Sequence, residues 1–201
     1  MMTKIFFLVL TLLATQAQGQ NGYVKLEKDS TLIGFLRHYT SSSDGHQGIE
    51  VWRTKKDKSP IRIPRRDIYE YAVKKDTFKV FHQFRPYAHS KTVIELIDAR
   101  LESRGKVNLY TIDRYLVEPK GSFIGGVPAA PEEITFGESP IIYILEDSRT
   151  AFISCLPQKR EMLIEVLKDF FPERYIAKYI EVEGKINYNT ISKFVSLYNS
   201  K

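Results

Sequence analysis

The spacing of apolar residues changes once along this chain, from the two-residue period of strands to the longer period of helices. In the first part apolar and polar residues alternate, as where Val24 and Leu26 flank Lys25. This alternation predicts half-buried strands. After Pro157 apolar residues recur every three or four positions, which predicts helices. Strands followed by helices, without alternation between the two, predict an α+β protein with an antiparallel sheet.

The β-rich part covers residues 20–156 and is expected to hold about eight strands, arranged as a meander or a partly closed barrel. Tyrosine, phenylalanine and β-branched residues recur throughout it, as strand propensity requires. Residues 157–201 form a helical segment that we expect to pack on the same domain. The predicted strand regions are residues 22–39 (a hairpin), 49–54, 61–63, 78–84 (with Phe78, Val80, His82 and Phe84 on one face), 92–112 (a pair) and 141–156 (a hairpin).

About three helices are predicted after Pro157. The first carries an apolar stripe from Met162 to Phe171, and Pro172 ends it and can begin the second. Gly184 is expected to end the second helix. Asn189 is expected to cap a third, whose Ile191, Phe194, Val195 and Tyr198 share one face.

Residues 119–140 are rich in glycine and proline, which predicts a long loop or flap. Within it, Gly121 to Gly126 has the glycine spacing of a phosphate-binding loop. No Lys-Ser or Lys-Thr follows the last glycine, so the chemistry of a nucleotide site is missing. No cofactor is predicted.

The first nineteen residues have the three parts of a secretory signal. Lys4 supplies the positive charge, residues 5–14 are apolar except for Thr11, and Ala17 and Gly19 are small residues at the positions read by a signal peptidase. Cleavage is expected before Gln20. No later segment is apolar and long enough to span a membrane. The sequence therefore predicts export to the periplasm or the extracellular space.

Three short segments carry a resemblance: Tyr23 to Leu36, Gly105 to Tyr110 and Ile191 to Asn199. Through them the chain resembles uncharacterised exported proteins of Bacteroidota. The resemblance implies a bacterial envelope or secreted setting. It brings no catalytic residues with it.

Cys155 is the one cysteine, so no intramolecular disulfide can form. It lies in an apolar, strand-like run and is predicted to be a small buried side chain. The alternative interpretation is a nucleophile or an intermolecular bridge.

No familiar catalytic or metal-binding motif is present. The chain has no Gly-x-Ser-x-Gly turn, and none of its four histidines has a partner at zinc-binding spacing. His82 and His89 are interpreted as ordinary strand or surface residues. The adjacent acids Glu132 and Glu133 lie in the 119–140 loop and would need a distant partner to act as a glycosidase pair.

The basic charge of the chain is concentrated in residues 53–66. The whole chain carries a net charge of +6, and this segment alone, with seven basic residues and one acid, also sums to +6. Such a cluster can attract polyanions. The candidate binding residues are Trp52, Arg53, Lys55, Lys56, Lys58, Arg62, Arg65 and Arg66.

For an exported protein, the expected partner of this segment is an anionic envelope component: an acidic glycan, a lipid head group or an acidic protein, and not a nucleic acid. The alternative is a solvated strand edge whose charges prevent pairing with another chain. The leading functional hypothesis is a non-enzymatic, exported binding protein. The alternatives are a hydrolase of envelope glycan or peptide with its site under the 119–140 loop, and a structural accessory protein of an envelope assembly.

The signal sequence yields a direct prediction. Protein isolated from its native host should begin at or near Gln20, because the peptidase cuts after small residues. Mass spectrometry of the intact protein measures this. A soluble cytoplasmic form that keeps Met1 would contradict export.

Overall fold

A computed structural model describes residues 20–26, 30–40, 47–85, 93–113, 123–124, 127–128 and 141–200. The predicted signal, most of the 119–140 loop, His89, and Glu132 with Glu133 lie outside the described residues. The chain divides into two compact units, an N-terminal unit that ends at Asp76 and a C-terminal unit that begins at Thr77.

The prediction of an α+β fold with an antiparallel sheet followed by three helices is confirmed. The described residues hold ten antiparallel sheet strands, slightly more than the eight predicted, and a separate two-stranded hairpin inside the 119–140 region. In chain order the elements are β1 (Gln20–Leu26), β2 (Thr31–Thr40), β3 (Gln47–Trp52), β4 (Ile61–Pro64), β5 (Ile68–Val73), β6 (Asp76–Phe84), β7 (Ile94–Ser103), β8 (Val107–Asp113), β9 (Phe123–Ile124), β10 (Val127–Pro128), β11 (Ile141–Asp147), β12 (Ile153–Cys155), α1 (Arg160–Phe170), α2 (Glu173–Glu183) and α3 (Ile191–Asn199).

In the N-terminal unit the strand order is β5-β1-β2-β3-β4, with every neighbouring pair antiparallel. Strand β5 was not predicted. A short 3₁₀ turn at Arg65–Asp67 separates it from β4, and Glu70 interrupts its apolar run. Because of both features, the sequence of β5 lacks the regular alternation of apolar and polar residues that predicts a strand.

The pleat of the N-terminal strands sorts their side chains onto two faces. One face is apolar and buried, because alternate residues of the strands are aliphatic. Its members, each at most 4% exposed, include Val24, Leu36, Ile49, Val51 and Ile63. The opposite face carries the polar and aromatic residues described below.

In the C-terminal unit the strand order is β6-β7-β8-β11-β12, a meander. Within the described residues the order of neither unit closes on itself. Both faces of the C-terminal strands are apolar. One packs against the helices, and its buried strand residues are Val107, Leu109 and Leu145. The other holds a second cluster formed by Phe81, Phe84, Ile97, Ala99, Tyr110, Ile112, Ile142 and Ile144.

The prediction that Val80 and Phe84 share a face of β6 is wrong. Gln83 has a φ of 49°, which breaks the alternation of the strand. Phe84 therefore packs with Phe81, at 6.3 Å between ring centroids.

The helices end and begin near the residues predicted from the sequence, except that one predicted capping residue is wrong. Gly184 ends α2 with a φ of 81°, a backbone conformation suited to glycine. Asn187 caps the 3₁₀ turn Tyr188–Thr190 that leads into α3: its Oδ1 accepts a hydrogen bond from the backbone N–H of Thr190 at 3.1 Å, and α3 itself has no side-chain cap. Asn189, predicted as the cap, lies within a 3₁₀ turn. Among the described residues, no helix is sufficiently long and apolar to cross a membrane.

Phe194 lies at the centre of the helical packing. Its ring is fully buried, within 4.8 Å of Phe171, 5.0 Å of Tyr179 and 5.1 Å of Tyr175, centroid to centroid. The Tyr175 hydroxyl also donates a hydrogen bond to the Phe194 carbonyl at 3.0 Å. These contacts make α3 an integral part of the C-terminal unit.

Replacing Phe194 with alanine should lower the free energy of unfolding by about 3–5 kcal/mol, because a fully buried ring leaves a cavity. Leu197→Ala is the matched control, since Leu197 lies on the same helix and is 41% exposed. Urea unfolding followed by circular dichroism measures both. Equal losses in the two variants would contradict the packing described here.

Candidate functional site

The predicted binding residues, Trp52 and seven basic residues, separate into three groups in the structure. Arg53, Lys56 and Lys58 are exposed in the loop between β3 and β4. Asp57 organises this loop. Its carboxylate accepts hydrogen bonds from the hydroxyl of Thr54 at 2.7 Å and from the backbone N–H of Thr54 at 2.9 Å. The Thr54 hydroxyl, followed by the backbone bond, lowers the pKa of Asp57, so the turn carries a carboxylate at neutral pH.

Trp52, Lys55 and Arg62 form the second group, on the face of the N-terminal strands opposite the apolar core. Strand register places Trp52 opposite Phe35 and Arg62 opposite Glu50. We call this surface the cation–aromatic face, and it consists of Ile33, Phe35, Arg37 and Tyr39 on β2, Glu50 and Trp52 on β3, Lys55 in the loop and Arg62 on β4.

Glu50 lies at the centre of the cation–aromatic face. Its side chain is only 2% exposed, although Arg37 and Arg62 beside it are 45% and 70% exposed. Arg37 donates to Glu50 Oε2 from Nε at 3.0 Å and from Nη2 at 2.7 Å. Arg62 donates from Nε to Oε1 at 3.0 Å. A carboxylate with so little access to water requires such partners, so Glu50 fixes both guanidinium groups in place.

Each cation of the face also lies over an aromatic ring. The distance from the guanidinium carbon to the ring centroid is 5.0 Å for Arg37 over Trp52 and 5.7 Å for Arg62 over Tyr39. Lys55 Nζ lies 5.2 Å from the centroid of Phe35. All three distances are within the range of cation–π attraction. The rings therefore hold the cations at the sheet surface while one side of each cation stays accessible.

A glycine determines where Tyr39 lies. Tyr39 is paired with Gly48 across the β2–β3 register. A Cβ added at Gly48 would lie 2.7 Å from a ring carbon of Tyr39 and 2.2 Å from the Ile63 carbonyl oxygen. The ring occupies the space that any other residue at position 48 would fill. This lets Tyr39 lie close to the strand and under Arg62.

Arg65 and Arg66, the third group, do not join the cation–aromatic face. Arg65 donates a hydrogen bond to the side-chain oxygen of Gln47 at 3.3 Å. Gln47 lies on the same face of β3 as the buried Ile49, and Glu50 lies on the other face. Arg66 lies 3.9 Å from the carboxylate of its neighbour Asp67, and both are exposed. The basic segment is therefore divided and does not form one patch.

Sequence reasoning missed the β2 residues of the face and Glu50. Ile33, Phe35, Arg37 and Tyr39 occupy every second position of β2, which is a visible strand pattern. The net charge of a continuous segment does not include Arg37, however, because Arg37 lies sixteen residues before Arg53. The pairing of β2 with β3 brings the two regions together.

A second polar cluster is buried in the C-terminal unit. Lys79 on β6 forms an ion pair with Glu146 on β11, and their side chains are 8% and 6% exposed. Glu146 also accepts hydrogen bonds from the Tyr110 hydroxyl at 2.7 Å and from the Asn108 amide at 3.2 Å. Lys79 Nζ lies 5.3 Å from the centroid of Phe81.

Burial raises the pKa of Glu146, but the hydrogen bonds from Lys79 and Tyr110 and the charge of Lys79 outweigh it, so the pKa lies below its ordinary value. Glu146 is therefore ionised at neutral pH. A carboxylate in this state cannot act as a general acid. With three donors on its two oxygens, the cluster fits a structural role.

Cys155 is a free thiol on β12 that packs against the second apolar cluster of the C-terminal unit. Burial raises its pKa to about 12. The thiolate is the nucleophilic form of cysteine, so this residue is poorly suited to covalent catalysis. Among the residues placed by the structure, no group of three or more His, Cys, Asp or Glu side chains is arranged to hold a metal ion.

Comparison of the chain with protein-family models, with curated protein sequences and with solved structures finds no match. A fold by itself does not define a function. The function is therefore inferred from the side chains of the two clusters.

The lowered pKa of Glu146 gives a pH-dependent prediction. Glu146→Gln should destabilise the protein at pH 7 by about 3 kcal/mol or more, because the Lys79 charge stays buried without its partner. As pH falls, the unfolded state gains its proton near the ordinary pKa of 4.5, before the folded state does. The stability that the carboxylate contributes is therefore present above pH 4.5 and is lost below it, so the gap between wild type and variant should close there.

The matched control is Glu165→Gln, which removes an exposed ion pair with Lys168 on α1. It should change the free energy of unfolding by less than about 0.5 kcal/mol at pH 7. Thermal unfolding between pH 3 and pH 7 measures all three proteins. A gap for Glu146→Gln that is the same at every pH would contradict the ionised buried carboxylate.

Proposed function

We propose that the protein is an exported, non-enzymatic binding protein that engages an anionic component of the cell envelope or its surroundings through the cation–aromatic face. The observation that carries this proposal is the arrangement of Arg37 and Arg62 on Glu50. Both guanidinium groups are held in fixed positions, and both remain substantially exposed.

The charges of the face leave it attractive to anions. Arg37, Lys55 and Arg62 contribute three positive charges, and Glu50 neutralises one. A guanidinium group has five N–H donors. Glu50 receives two from Arg37 and one from Arg62, so most donors of the exposed Arg62 can bind a ligand. Donors that are already ordered lose little entropy on binding.

An enzymatic function has less support. The Glu146 carboxylate is fully partnered and ionised, and burial holds the Cys155 thiol in its protonated form. The hydrolase alternative placed its site under the 119–140 loop, most of which lies outside the described residues. The binding proposal rests on described side chains.

The proposal predicts that the double variant Lys55→Gln, Arg62→Gln binds anionic surfaces more weakly. Arg37 keeps two hydrogen bonds to Glu50 in this variant, and circular dichroism checks that the variant is folded. Each basic residue contributes about 1 kcal/mol near an anionic membrane, so the loss should be about thirtyfold in affinity. Binding should also weaken with added salt, because exposed charges are screened. Retention on alginate-coated beads and on phosphatidylglycerol vesicles provides the measurement.

The control variant is Arg174→Gln, Lys178→Gln, which removes the same net charge from exposed positions on α2. It should bind like wild type. If wild type binds neither anionic probe, or if both double variants lose affinity equally, the cation–aromatic face is not the binding site.

A further inference from the structure

The most exposed large apolar side chain of the described residues lies on the cation–aromatic face. Ile33 is 75% exposed, although strand residues of this type are normally buried. It shares a face with Phe35 and Arg37, because successive residues of a strand alternate. The face thus combines an uncovered aliphatic side chain, half-buried aromatic rings and cations.

This combination distinguishes between anionic partners. A hydrated acidic polysaccharide or a free anion would satisfy Arg37, Arg62 and Lys55, but neither would remove Ile33 from water. A lipid surface provides phosphate groups for the cations and an apolar layer just beneath them. Removing apolar area from water is favourable in proportion to its size. Trp and basic side chains are also the residue types enriched where proteins meet the membrane–water interface.

We infer that the ligand of the cation–aromatic face is the surface of an anionic phospholipid membrane, on which the sheet face lies with Ile33 and Trp52 at the level of the head groups. This inference rests on the proposed function and specifies its partner. Arg37, Arg62 and Lys55 contact lipid phosphates, which guanidinium groups bind through paired N–H donors. Ile33 supplies the apolar contact.

The chain carries its own reporter for this contact. Trp52 is the only tryptophan, and it belongs to the cation–aromatic face. Its fluorescence therefore reports the environment of the face alone. Vesicles of phosphatidylglycerol brominated near the head-group end of the acyl chains should quench it. Vesicles of phosphatidylcholine brominated at the same positions should not, because they carry no net negative charge to attract the cations of the face.

The variants separate apolar from charged contributions. Ile33→Thr keeps a β-branched residue in the strand and should weaken vesicle binding about tenfold. Arg62→Gln should weaken it about fivefold. The matched controls are Val182→Thr, at a position on α2 that is 71% exposed, and Arg174→Gln. Both controls should bind as wild type does, and circular dichroism confirms that each variant is folded.

Four outcomes would overturn the inference. If the protein binds alginate beads but not vesicles, its ligand is a hydrated polyanion, and the proposed function stands without the lipid. If it sediments with vesicles while Trp52 is not quenched, or if Ile33→Thr and Val182→Thr behave alike, another surface makes the contact. If it binds neither vesicles nor beads, the proposed function fails with the inference.

Discussion

The two least exposed carboxylates of the described residues, Glu50 in the N-terminal unit and Glu146 in the C-terminal unit, organise the strands around them. A buried charge is costly unless cations and hydrogen bonds compensate it. Glu50 is compensated by arginines from the strands on either side of β3, and Glu146 by a lysine, a tyrosine and an asparagine. In both cases the partners come from other strands, so the compensation depends on correct strand register. A slip by one residue would move each partner to the opposite face.

The two carboxylates nevertheless have different consequences. Lys79 and Tyr110, two of the partners of Glu146, are buried with it, so the cluster in the C-terminal unit contributes to stability. The partners of Glu50 extend to the surface, with Arg62 mostly exposed. The same electrostatic requirement therefore gives a buried, hydrogen-bonded ion pair in the C-terminal unit and an ordered cationic surface in the N-terminal unit. The described C-terminal strands have an apolar cluster on each face, whereas the N-terminal strands carry ordered and exposed cations on one face, which is why we propose binding there.

Much of the fold was predictable, because strand alternation and helical periodicity are local signals. The hairpin of β1 and β2, the three helices and the glycine that ends α2 all follow from spacing along the chain. Strand β5 was missed because Glu70 interrupts its pattern, and that residue receives a hydrogen bond from the distant Tyr23 hydroxyl at 2.6 Å. The site was only half predictable for a related reason. Lys55 and Arg62 lie in the charged segment, but Arg37 and Glu50 acquire their role through pairing between strands, and a single sequence does not reveal register.

The half-buried thiol of Cys155 matters for a protein that is exported, as we propose. Disulfide exchange requires the thiolate, and burial raises the pKa of Cys155 to about 12, so the thiol is protonated at pH 7. The periplasm and the extracellular space favour oxidation. An accessible lone cysteine there would link two copies of the chain or capture another protein. Its place against the apolar cluster disfavours both reactions, so a lone thiol is compatible with an oxidising compartment.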